Sequence, residues 1–451
     1  MLRHGFILIQ KTQRKGFRSM KKILINGGRP LYGNINVRGM KNAALPIVFA
    51  SILTADRCVV DNMPPVSDVE LSLEILRRMG ATVERINKTT VVIDTTHFEG
   101  GNSPYELVSR LRGSTYLLGA ELGRFGCAKV GFSGGCDFGV RPIDQHQKGF
   151  EALGAKVTIE NGCNCITTTS AGLNGTSIYF DIASVGATIN VMLAAVLAKG
   201  KTTIDNAARE PHIVDLANFL NMCGARISGA GTSVIKIQGV ENLHGCNYTI
   251  IPDMIEAGTY MVAAAAAGGR VSVRGVIPKH METVTAKLVE MGADVEEYED
   301  YIVVSRAGRL TRTNVKTYFY PGFPTDMQPQ MAVLLSVAEG TSLVSEGVWD
   351  NRFKYIDQLV RMGADVQVDG TMAVFQGVKE LMGAPVKADD LRAGAAMIIA
   401  GLMARGTTEI ENIIYIDRGY EDYVEKLRNV GADIYRKEVS ESTSDSISAG
   451  C

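Results

Sequence analysis

Several features that mark specialised classes of protein are missing from this 451-residue chain. Its 47 basic and 48 acidic residues leave a net charge of -1, which argues against a basic nucleic-acid-binding protein and against an acidic disordered one. The longest apolar runs, at 191–198 and 261–267, fall short of the ~18 residues that a membrane span needs. The overall composition, with 46% hydrophobic and 21% charged residues, is typical of a soluble globular protein with several cores. We expect neither nucleic acid nor a membrane as a partner.

The eight cysteines show no pattern of a disulfide framework or a zinc site. Cys163 and Cys165 are too close together for a zinc knuckle, and no secretory signal is recognisable. A Walker loop and a Gly-x-Gly-x-x-Gly turn are also missing, which disfavours nucleotide hydrolysis and nicotinamide chemistry. We therefore predict a reduced, cytoplasmic protein without metal or cofactor. Cys58, Cys127 and Cys223 are interpreted as inert, buried hydrophobic residues.

Both ends of the chain differ from the rest. Residues 1–20 are basic and contain no Asp or Glu, and we interpret them as a loose extension, with a transit peptide as the alternative. Met20 is a plausible second start, just before a strand predicted at Lys22–Ile25. The segment after Lys437 is rich in Ser and acidic residues and is predicted to be disordered.

One sequence unit recurs six times. Each copy has a Gly-Ala pair, followed within two residues by a β-branched residue, and successive glycines are 74, 70, 68, 71 and 68 residues apart. These glycines are Gly80, Gly154, Gly224, Gly292, Gly363 and Gly431. Each is placed where a helix ends in a left-handed residue before a strand begins. The series predicts six units of helix, strand, helix and strand, with further strand residues before the next helix.

A second recurring signal supports these units. A small-residue turn followed by an alternating strand occurs at 200–206, 269–275 and 406–412. The Ala-rich helices predicted at 187–197 and 258–267 are apolar nearly all round, so we expect them to be buried. Six such units favour an α/β protein of two domains with three units each.

Four segments interrupt the repeats and are therefore candidates for function. The first places Lys41 and Asn42 at a predicted helix start, where an anion can bind; a plain surface lysine is the alternative. The second places Cys136 between glycines on a loop, with Arg141 able to lower its pKa and hold an anion. His146 could pair with Cys136, but capping or packing at a helix start is the favoured interpretation of this residue.

The remaining two segments supply acids and arginines. Asp326 lies in a proline-rich loop entering a helix, as a catalytic acid or as a plain N-cap. Arg392 and Arg418 each lie beside acidic residues, where surface ion pairs explain such clusters as often as binding does. Four cations, Lys41, Arg112, Arg141 and Arg418, together favour a small polyanionic substrate.

The same segments resemble the UDP-N-acetylglucosamine 1-carboxyvinyltransferase family of enolpyruvyl transferases. The resemblance covers about residues 21–437. It is carried by Gly39-Met-Lys41-Asn42, Gly134-Gly-Cys136 through Arg141-Pro-Ile-Asp144, Ser184-Val-Gly-Ala-Thr188, Phe323-Pro-Thr-Asp326-Met-Gln328, Asn351-Arg-Phe353, Asp390-Leu-Arg392 and Asp417-Arg-Gly-Tyr420. It implies an inside-out α/β barrel fold of two domains, each with three βαβαββ-type units. The first domain would comprise 21–41 plus 251–437 and the second 42–250, between the extension 1–20 and a tail at 438–451.

The resemblance also implies a reaction. The family transfers the enolpyruvyl group of phosphoenolpyruvate to the 3′-hydroxyl of UDP-N-acetylglucosamine and releases phosphate, which begins peptidoglycan precursor synthesis. By motif, Cys136 is the acid that protonates the methylene group and can form a covalent adduct, the target of fosfomycin. Asp326 is the base, and Lys41 and Arg418 complete the catalytic set. Other substrate-binding positions are Asn42, Arg112, Arg141, Pro142, Asp144, Gln145, Ser184, Val185, Gly186, Thr325, Val348, Asp390 and Leu391.

Three positions depart from the family pattern. Ile182 and Met254 replace a lysine and an arginine, and His212 replaces an acid. A paralogue of reduced activity, or one that binds a UDP-sugar and regulates, is therefore the alternative. The sister enzyme acting on shikimate 3-phosphate is disfavoured because Gly-Ser-Lys-Ser is missing after the first strand. A monomer is favoured over an oligomer.

Overall fold

The computed structural model describes residues 20–101, 103–132 and 143–439. Within them the helices are α1 (Lys41–Ala50), α2 (Ser67–Arg78), α3 (Tyr105–Val108), α4 (Tyr116–Phe125), α5 (Asp144–Ala152), α6 (Val185–Ala195), α7 (Pro211–Met222), α8 (Met254–Ala267), α9 (Glu282–Glu290), α10 (Gln328–Leu335), α11 (Ile356–Arg361), α12 (Leu391–Met403) and α13 (Tyr423–Asn429). None of the helices in these ranges is long and apolar enough to cross a membrane.

The strands of the same ranges form six small sheets. They are β1 (Met20–Asn26), β2 (Leu31–Asn36), β3 (Arg57–Asp61), β4 (Thr82–Arg85), β5 (Val91–Asp94), β6 (Cys127–Gly131), β7 (Ala155–Glu160), β8 (Cys163–Thr168), β9 (Ser177–Tyr179), β10 (Lys201–Asp205), β11 (Arg226–Ser228), β12 (Val234–Gln238), β13 (Asn247–Thr249), β14 (Gly269–Arg274), β15 (Asp294–Glu297), β16 (Tyr301–Arg306), β17 (Val315–Lys316), β18 (Thr341–Ser345), β19 (Asp365–Asp369), β20 (Met372–Gln376), β21 (Pro385–Lys387), β22 (Thr407–Glu411) and β23 (Asp433–Val439). The predicted strand at Lys22–Ile25 is the centre of β1.

Each repeat contributes a helix, a strand, a second helix and an antiparallel strand pair, as in α6, β10, α7, β11 and β12. A short strand then leaves the repeat and pairs in parallel with the first strand of another one. Thus β9 pairs with β10, and β13 pairs back with β3, which connects the third repeat to the second and to the first. In the same way β2 pairs in parallel with β14 of the fourth repeat, while β1 completes the last repeat by pairing with β22 and β23.

The six repeat glycines have the backbone conformation that their spacing predicted. Their φ angles are positive in every copy, from 90° at Gly292 to 104° at Gly431. A side chain is disfavoured at such an angle because Cβ approaches the following carbonyl oxygen. The glycine therefore lets the chain turn from the second helix of each repeat directly into a strand.

The first helices of the repeats lie inside and the sheets lie outside. Helices α8, α10 and α12 pack together, and α4 packs on α6 and α1. Nearly every residue of α6 and α8 is buried, as the apolar composition at 187–197 and 258–267 predicted. The strands alternate buried and exposed side chains, as expected for sheets that cover a core on one face.

Strand pairing divides the described residues into two groups. Strands β3 to β13 pair among themselves, and β1, β2 and β14 to β23 pair among themselves. The two chain segments that pass between the groups run side by side, with a β-bridge from Gly39 to Pro252 and a hydrogen bond from Met40 N–H to the Ile251 carbonyl (2.8 Å). Domain boundaries at 41/42 and 250/251 remain our proposal. Residues 1–19 and 440–451 lie outside the described ranges.

The interpretation of the cysteines needs one correction. Cys58 and Cys223 are buried, as predicted, but Cys127 is exposed. It is the first residue of β6, where the alternating pattern of the strand points its side chain away from the core.

Candidate active site

Lys41 is the first residue of α1 and is only partly buried. Its backbone N–H donates to Asp253 Oδ2 (3.2 Å), which satisfies one of the free N–H groups at the helix start. Its Nζ atom donates to Asp68 Oδ2 (3.1 Å). The helix start and the ammonium group thus provide positive charge at one place, which suits an anion.

Asp68 joins Lys41 to a second cation. Arg418, at the end of the 3₁₀ segment Ile413–Arg418, donates from Nε to Asp68 Oδ1 (2.8 Å). Burial raises the pKa of Asp68, but the charges of Lys41 and Arg418 outweigh burial and hold that pKa below its ordinary value. Asp68 and Arg418 belong to different strand groups, so this ion pair also links the two halves of the molecule.

Asp326 lies in the 3₁₀ segment Thr325–Met327, just before α10. Its Oδ2 atom accepts from Arg392 Nη2 (2.9 Å) and its Oδ1 atom from Arg352 Nη2 (3.4 Å). The N-cap position of α10 is Met327, so the carboxylate faces guanidinium groups and is not the N-cap of that helix. Burial raises the pKa of Asp326, but Arg392 and Arg352 lower it well below its ordinary value.

Buried contacts hold Arg392 in place. Asp390 is the N-cap of α12 and accepts from the N–H groups of Arg392 (2.7 Å) and Ala393 (3.1 Å). The Arg392 guanidinium donates to the Tyr420 hydroxyl (3.3 Å), which in turn contacts Thr259 Oγ1 (2.9 Å). The sequence analysis gave a surface ion pair as one interpretation of Arg392. In the structure Arg392 is buried, and its partner is Asp326.

The charges around Asp68 and the charges around Asp326 lie close enough to interact. The positive charge of Lys41 contributes to the low pKa of Asp326. Three sequence-predicted residues, Lys41, Arg418 and Asp326, therefore lie in one electrostatic environment, although they come from three different repeats.

Ser184 and Gly186 lie at the start of α6. The Ser184 hydroxyl caps the helix by accepting from Ala187 N–H (3.3 Å). A Cβ atom on Gly186 would lie 2.7 Å from His146 Nε2, so only glycine fits beside this ring. Burial, with the charge of Arg112, lowers the pKa of His146 to about 4, and the ring is neutral at physiological pH. His146 is therefore a packing residue in this structure.

Asp144 and Gln145 open α5 beside the segment that leads to α6. Gln145 Nε2 donates to Asp144 Oδ2 (2.8 Å), and Gln145 Oε1 accepts from Asp181 N–H (3.0 Å). The buried Gln145 amide thus connects the start of α5 to the end of β9, while Asp144 stays exposed.

Glu346 organises the loop that holds Thr325 and Val348. Its carboxylate accepts from Thr325 Oγ1 (3.1 Å) and from Val348 N–H (3.0 Å). Beyond Val348, the Trp349 ring packs against the Arg112 guanidinium, whose central carbon lies 5.3 Å from the ring centre. Arg112 and Trp349 come from opposite strand groups, so this contact also joins the two halves.

The other sequence-predicted residues are placed as follows. Asn42 and Val185 are half-buried near the starts of α1 and α6, and Leu391 is buried under Gly419. Cys136, Arg141 and Pro142 lie outside the described residues.

Asp68, Arg352 and His212 are site residues that sequence reasoning missed. In the sequence Asp68 resembles any acid in the first turn of a helix. No neighbouring residue in the sequence indicates that its carboxylate contacts both Lys41 and Arg418. Arg352 lies in a quoted motif, but its contact with Asp326 depends on the fold. His212, noted only as a departure, is buried at the start of α7, and burial lowers its pKa to about 4 against the opposing charge of Asp326.

Comparison with known proteins supports the fold and the class. A sequence profile of EPSP synthase (3-phosphoshikimate 1-carboxyvinyltransferase) matches residues 25–427. The crystal structure of the enolpyruvyl transferase NikO from Streptomyces tendae is 25% identical, with a TM-score of 0.83 over 93% of this chain and 100% of that one. EPSP synthase from Acinetobacter baumannii, at 19% identity and a TM-score of 0.72, shares the fold. The fold is that of the enolpyruvyl transferases, an inside-out α/β arrangement of two three-repeat domains.

Curated relatives define the family more narrowly. UDP-N-acetylglucosamine 1-carboxyvinyltransferase 3 of Caldanaerobacter subterraneus subsp. tengcongensis is 55% identical over 417 residues, which cover 92% of this chain and 99% of the relative. UDP-N-acetylglucosamine 1-carboxyvinyltransferase 2 of Clostridium acetobutylicum is 52% identical, covering 93% and 100%. The chain belongs to the UDP-N-acetylglucosamine 1-carboxyvinyltransferase family of transferases.

Proposed function

We propose that this protein transfers the enolpyruvyl group of phosphoenolpyruvate to the 3′-hydroxyl of UDP-N-acetylglucosamine and releases phosphate. The observation that carries the proposal is the arrangement of Lys41, Asp68 and Arg418 in the electrostatic environment of the ionised Asp326. A phosphate or carboxylate needs such cations, and a hydroxyl nucleophile needs such a carboxylate. The names of the relatives that are 55% and 52% identical agree with this reaction.

Asp326 is proposed as the base that accepts the proton of the sugar hydroxyl. Its low pKa keeps it ionised at neutral pH, but a carboxylate held by two guanidinium groups is a weak base. We infer that substrate anions compete for Arg352 and Arg392 and thereby raise the proton affinity of Asp326. Arg392 acts through the carboxylate in this proposal and is a positioning residue.

Lys41 and Arg418 are proposed to bind the phosphoenolpyruvate anion. Both now donate to Asp68, which keeps the two cations close together until an anion arrives. Asp68 therefore occupies the position of the substrate anion, and it neutralises two positive charges that would otherwise repel each other. Charge on the departing phosphate would be stabilised by the same two side chains.

Cys136 is proposed as the acid that protonates the methylene carbon, and Arg141 as a further anion ligand. Both roles come from the motif, because these residues lie outside the described ranges. Proposed contacts to the UDP-sugar are made by Asn42, Arg112, Pro142, Asp144, Gln145, Ser184, Val185, Gly186, Thr325, Val348, Asp390 and Leu391. Several of these residues lie at helix starts, where backbone N–H groups face a negatively charged ligand.

We infer a cytoplasmic enzyme that acts on small molecules, works as a monomer and needs no cofactor. Its product would enter peptidoglycan precursor synthesis. Met254 is buried at the start of α8, next to Asp253, and His212 is buried near Asp326, so two of the three departures from the family pattern lie close to the proposed site. A UDP-sugar-binding regulator with little activity is the competing function.

Phosphate release from phosphoenolpyruvate, with and without UDP-N-acetylglucosamine, tests the proposal. We expect release only with the sugar nucleotide, in step with formation of one enolpyruvyl ether per phosphate. Tight binding of the sugar nucleotide without phosphate release would instead support the regulatory alternative. Release that depends on shikimate 3-phosphate would overturn the assignment of substrate.

A further inference from the structure

Three thiols meet at a place that is separate from the proposed active site. Strands β3 and β13 are parallel neighbours, and Val59 N–H donates to the Cys246 carbonyl (2.9 Å), which brings Cys58 beside Cys246. Cys223, at the end of α7, lies against them, with its Sγ atom 3.4 Å from Cys246 Sγ. The three residues, named here the thiol cluster, are far apart in sequence, so the fold alone assembles them.

The members of the thiol cluster differ in exposure. Cys58 and Cys223 are fully buried, whereas Cys246 is half-buried. His244 N–H donates to the Cys223 carbonyl (2.9 Å), so the segment leading into β13 is fixed against the end of α7. The sulfur atoms of Cys223 and Cys246 need to approach by about 1.4 Å to reach the S–S bond length of ~2.0 Å.

We propose that Cys223 and Cys246 are a peroxide-sensitive pair that closes to an internal disulfide. The Cys246 sulfur attacks one oxygen of hydrogen peroxide, the O–O bond breaks, and one water leaves with a sulfenic acid on Cys246. The Cys223 sulfur then attacks the Cys246 sulfur, the S–O bond breaks, and the hydroxyl leaves as a second water with the Cys223 proton. Two thiols are oxidised by two electrons while one peroxide is reduced to two waters.

The environment sets this order of events. Hydrogen bonding to Cys246 and Cys58, together with burial, raises the pKa of Cys223, so this thiol is seldom ionised and is shielded from solvent. The hydrogen bond with Cys223 lowers the pKa of Cys246, but the hydrogen bond with Cys58 and burial raise it overall, so ionisation does not select between the two thiols. Exposure does: Cys246 is the member that a peroxide in solution can reach. Once it is oxidised, Cys223 is already in contact with it, and a neighbouring thiol captures a sulfenic acid before further oxidation.

Mass spectrometry of the full chain tests this proposal directly. Trypsin places Cys223 on peptide 210–226, Cys246 on 237–270 and Cys58 on 58–77, while Cys136 lies on 130–148. After treatment with hydrogen peroxide and blocking of free thiols by N-ethylmaleimide, we expect peptides 210–226 and 237–270 joined, with the loss of two hydrogen atoms. Dithiothreitol should separate them again.

Matched variants distinguish the pair from general thiol oxidation. Cys246→Ser should abolish the crosslink and leave Cys223 free to react with maleimide after unfolding, whereas Cys127→Ser, at an exposed thiol, should leave the crosslink unchanged. Oxidation of Cys127 without any 210–226 to 237–270 crosslink in the wild-type protein would overturn the proposal. A crosslink from peptide 58–77 in its place would overturn the assigned pairing.

Discussion

Asp326 is subject to two opposing influences, because the arginines that keep it ionised also weaken it as a base. Replacement by Asn keeps the size of the side chain and its ability to accept hydrogen bonds but removes the proton acceptor. We therefore expect Asp326→Asn to lower kcat by about 10²- to 10⁴-fold, with little change in binding of the UDP-sugar. Steady-state kinetics and calorimetric titration measure the two effects separately.

The exposed Asp365, at the start of β19, supplies the matched control for this experiment. Asp365→Asn makes the same chemical change away from the site and should leave kcat unchanged. A near-normal kcat for Asp326→Asn would leave the carboxylate with a structural role only.

Cys136 offers a prediction that depends on the motif alone. A carboxylic acid can donate a proton but cannot form a thioether, so Cys136→Asp should remain active while Cys136→Ser loses nearly all turnover. An epoxide such as fosfomycin should inactivate the wild-type enzyme and spare the Asp variant. Equal inactivation of both would place the alkylated residue elsewhere.

At the scale of single elements, helix α4 carries a buried acid that makes stability depend on pH. Glu121 Oε1 accepts from Gly101 N–H (2.9 Å), Oε2 has no partner among the described residues, and burial raises the pKa of Glu121 to about 7. The folded protein therefore keeps a proton that the unfolded chain releases above its ordinary pKa. The free energy of unfolding therefore decreases by up to about 3 kcal/mol as the pH rises from the ordinary pKa of a glutamate to about 7.

Glu121→Gln removes this dependence because an amide has no proton to lose. We expect the variant to gain stability over the wild type at pH 8 and to gain little at pH 5. Urea unfolding at the two pH values measures the difference. An equal change at both would mean that the Glu121 carboxyl does not titrate in this range.

The repeat glycines allow a second test at this scale. Gly363 has φ of +94°, and no atom lies within 4 Å of the position that a Cβ would take, so only backbone strain opposes a side chain there. Gly363→Ala should lower the free energy of unfolding by about 1–2 kcal/mol. Gly308, exposed and equally uncrowded but without a positive φ, is the control: Gly308→Ala should be neutral or slightly stabilising.

Gly363 and Asp68 show what the sequence could predict and what it could not. The six glycines, the buried Ala-rich helices and the strands after each turn follow local rules, so spacing alone predicted the repeats. The contacts from Asp68 to Arg418 and from Asp326 to Arg392 join residues 350 and 66 positions apart. Such contacts depend on the relative positions of the repeats in space. One amino-acid sequence contains no pattern that predicts those positions.

At the scale of the whole molecule, side-chain contacts within the described ranges connect the two halves. Asp68 pairs with Arg418 in a buried position, Arg112 packs on Trp349, and the exposed Lys88 pairs with the exposed Asp422 and with the buried Glu421. Exposed pairs contribute at most about 1 kcal/mol and are screened by salt, whereas the buried pair is screened much less.

We therefore expect UDP-N-acetylglucosamine to favour the state in which the halves are together. Small-angle scattering should report a smaller radius of gyration with the ligand than without it, and the difference should grow with salt as the contacts at Lys88 weaken in the free protein. An unchanged radius of gyration at saturating ligand, at low and high salt, would count against movement of the halves.

The way in which β1 is paired has a consequence for how the protein is made. This strand lies between β22 and β23, and Met20 is opposite Val439, so β1, the first of the described strands, has neither of these partners until almost the whole chain has been synthesised. Strands β3 to β13 pair among themselves and can fold while synthesis continues, since domains generally fold as units, the N-terminal parts first. Closing a contact over such a distance in sequence is slow. The apolar side chains of β1, among them Ile23 and Ile25, therefore lack their native cover during translation, and we expect this strand to be a binding site for a chaperone of nascent chains.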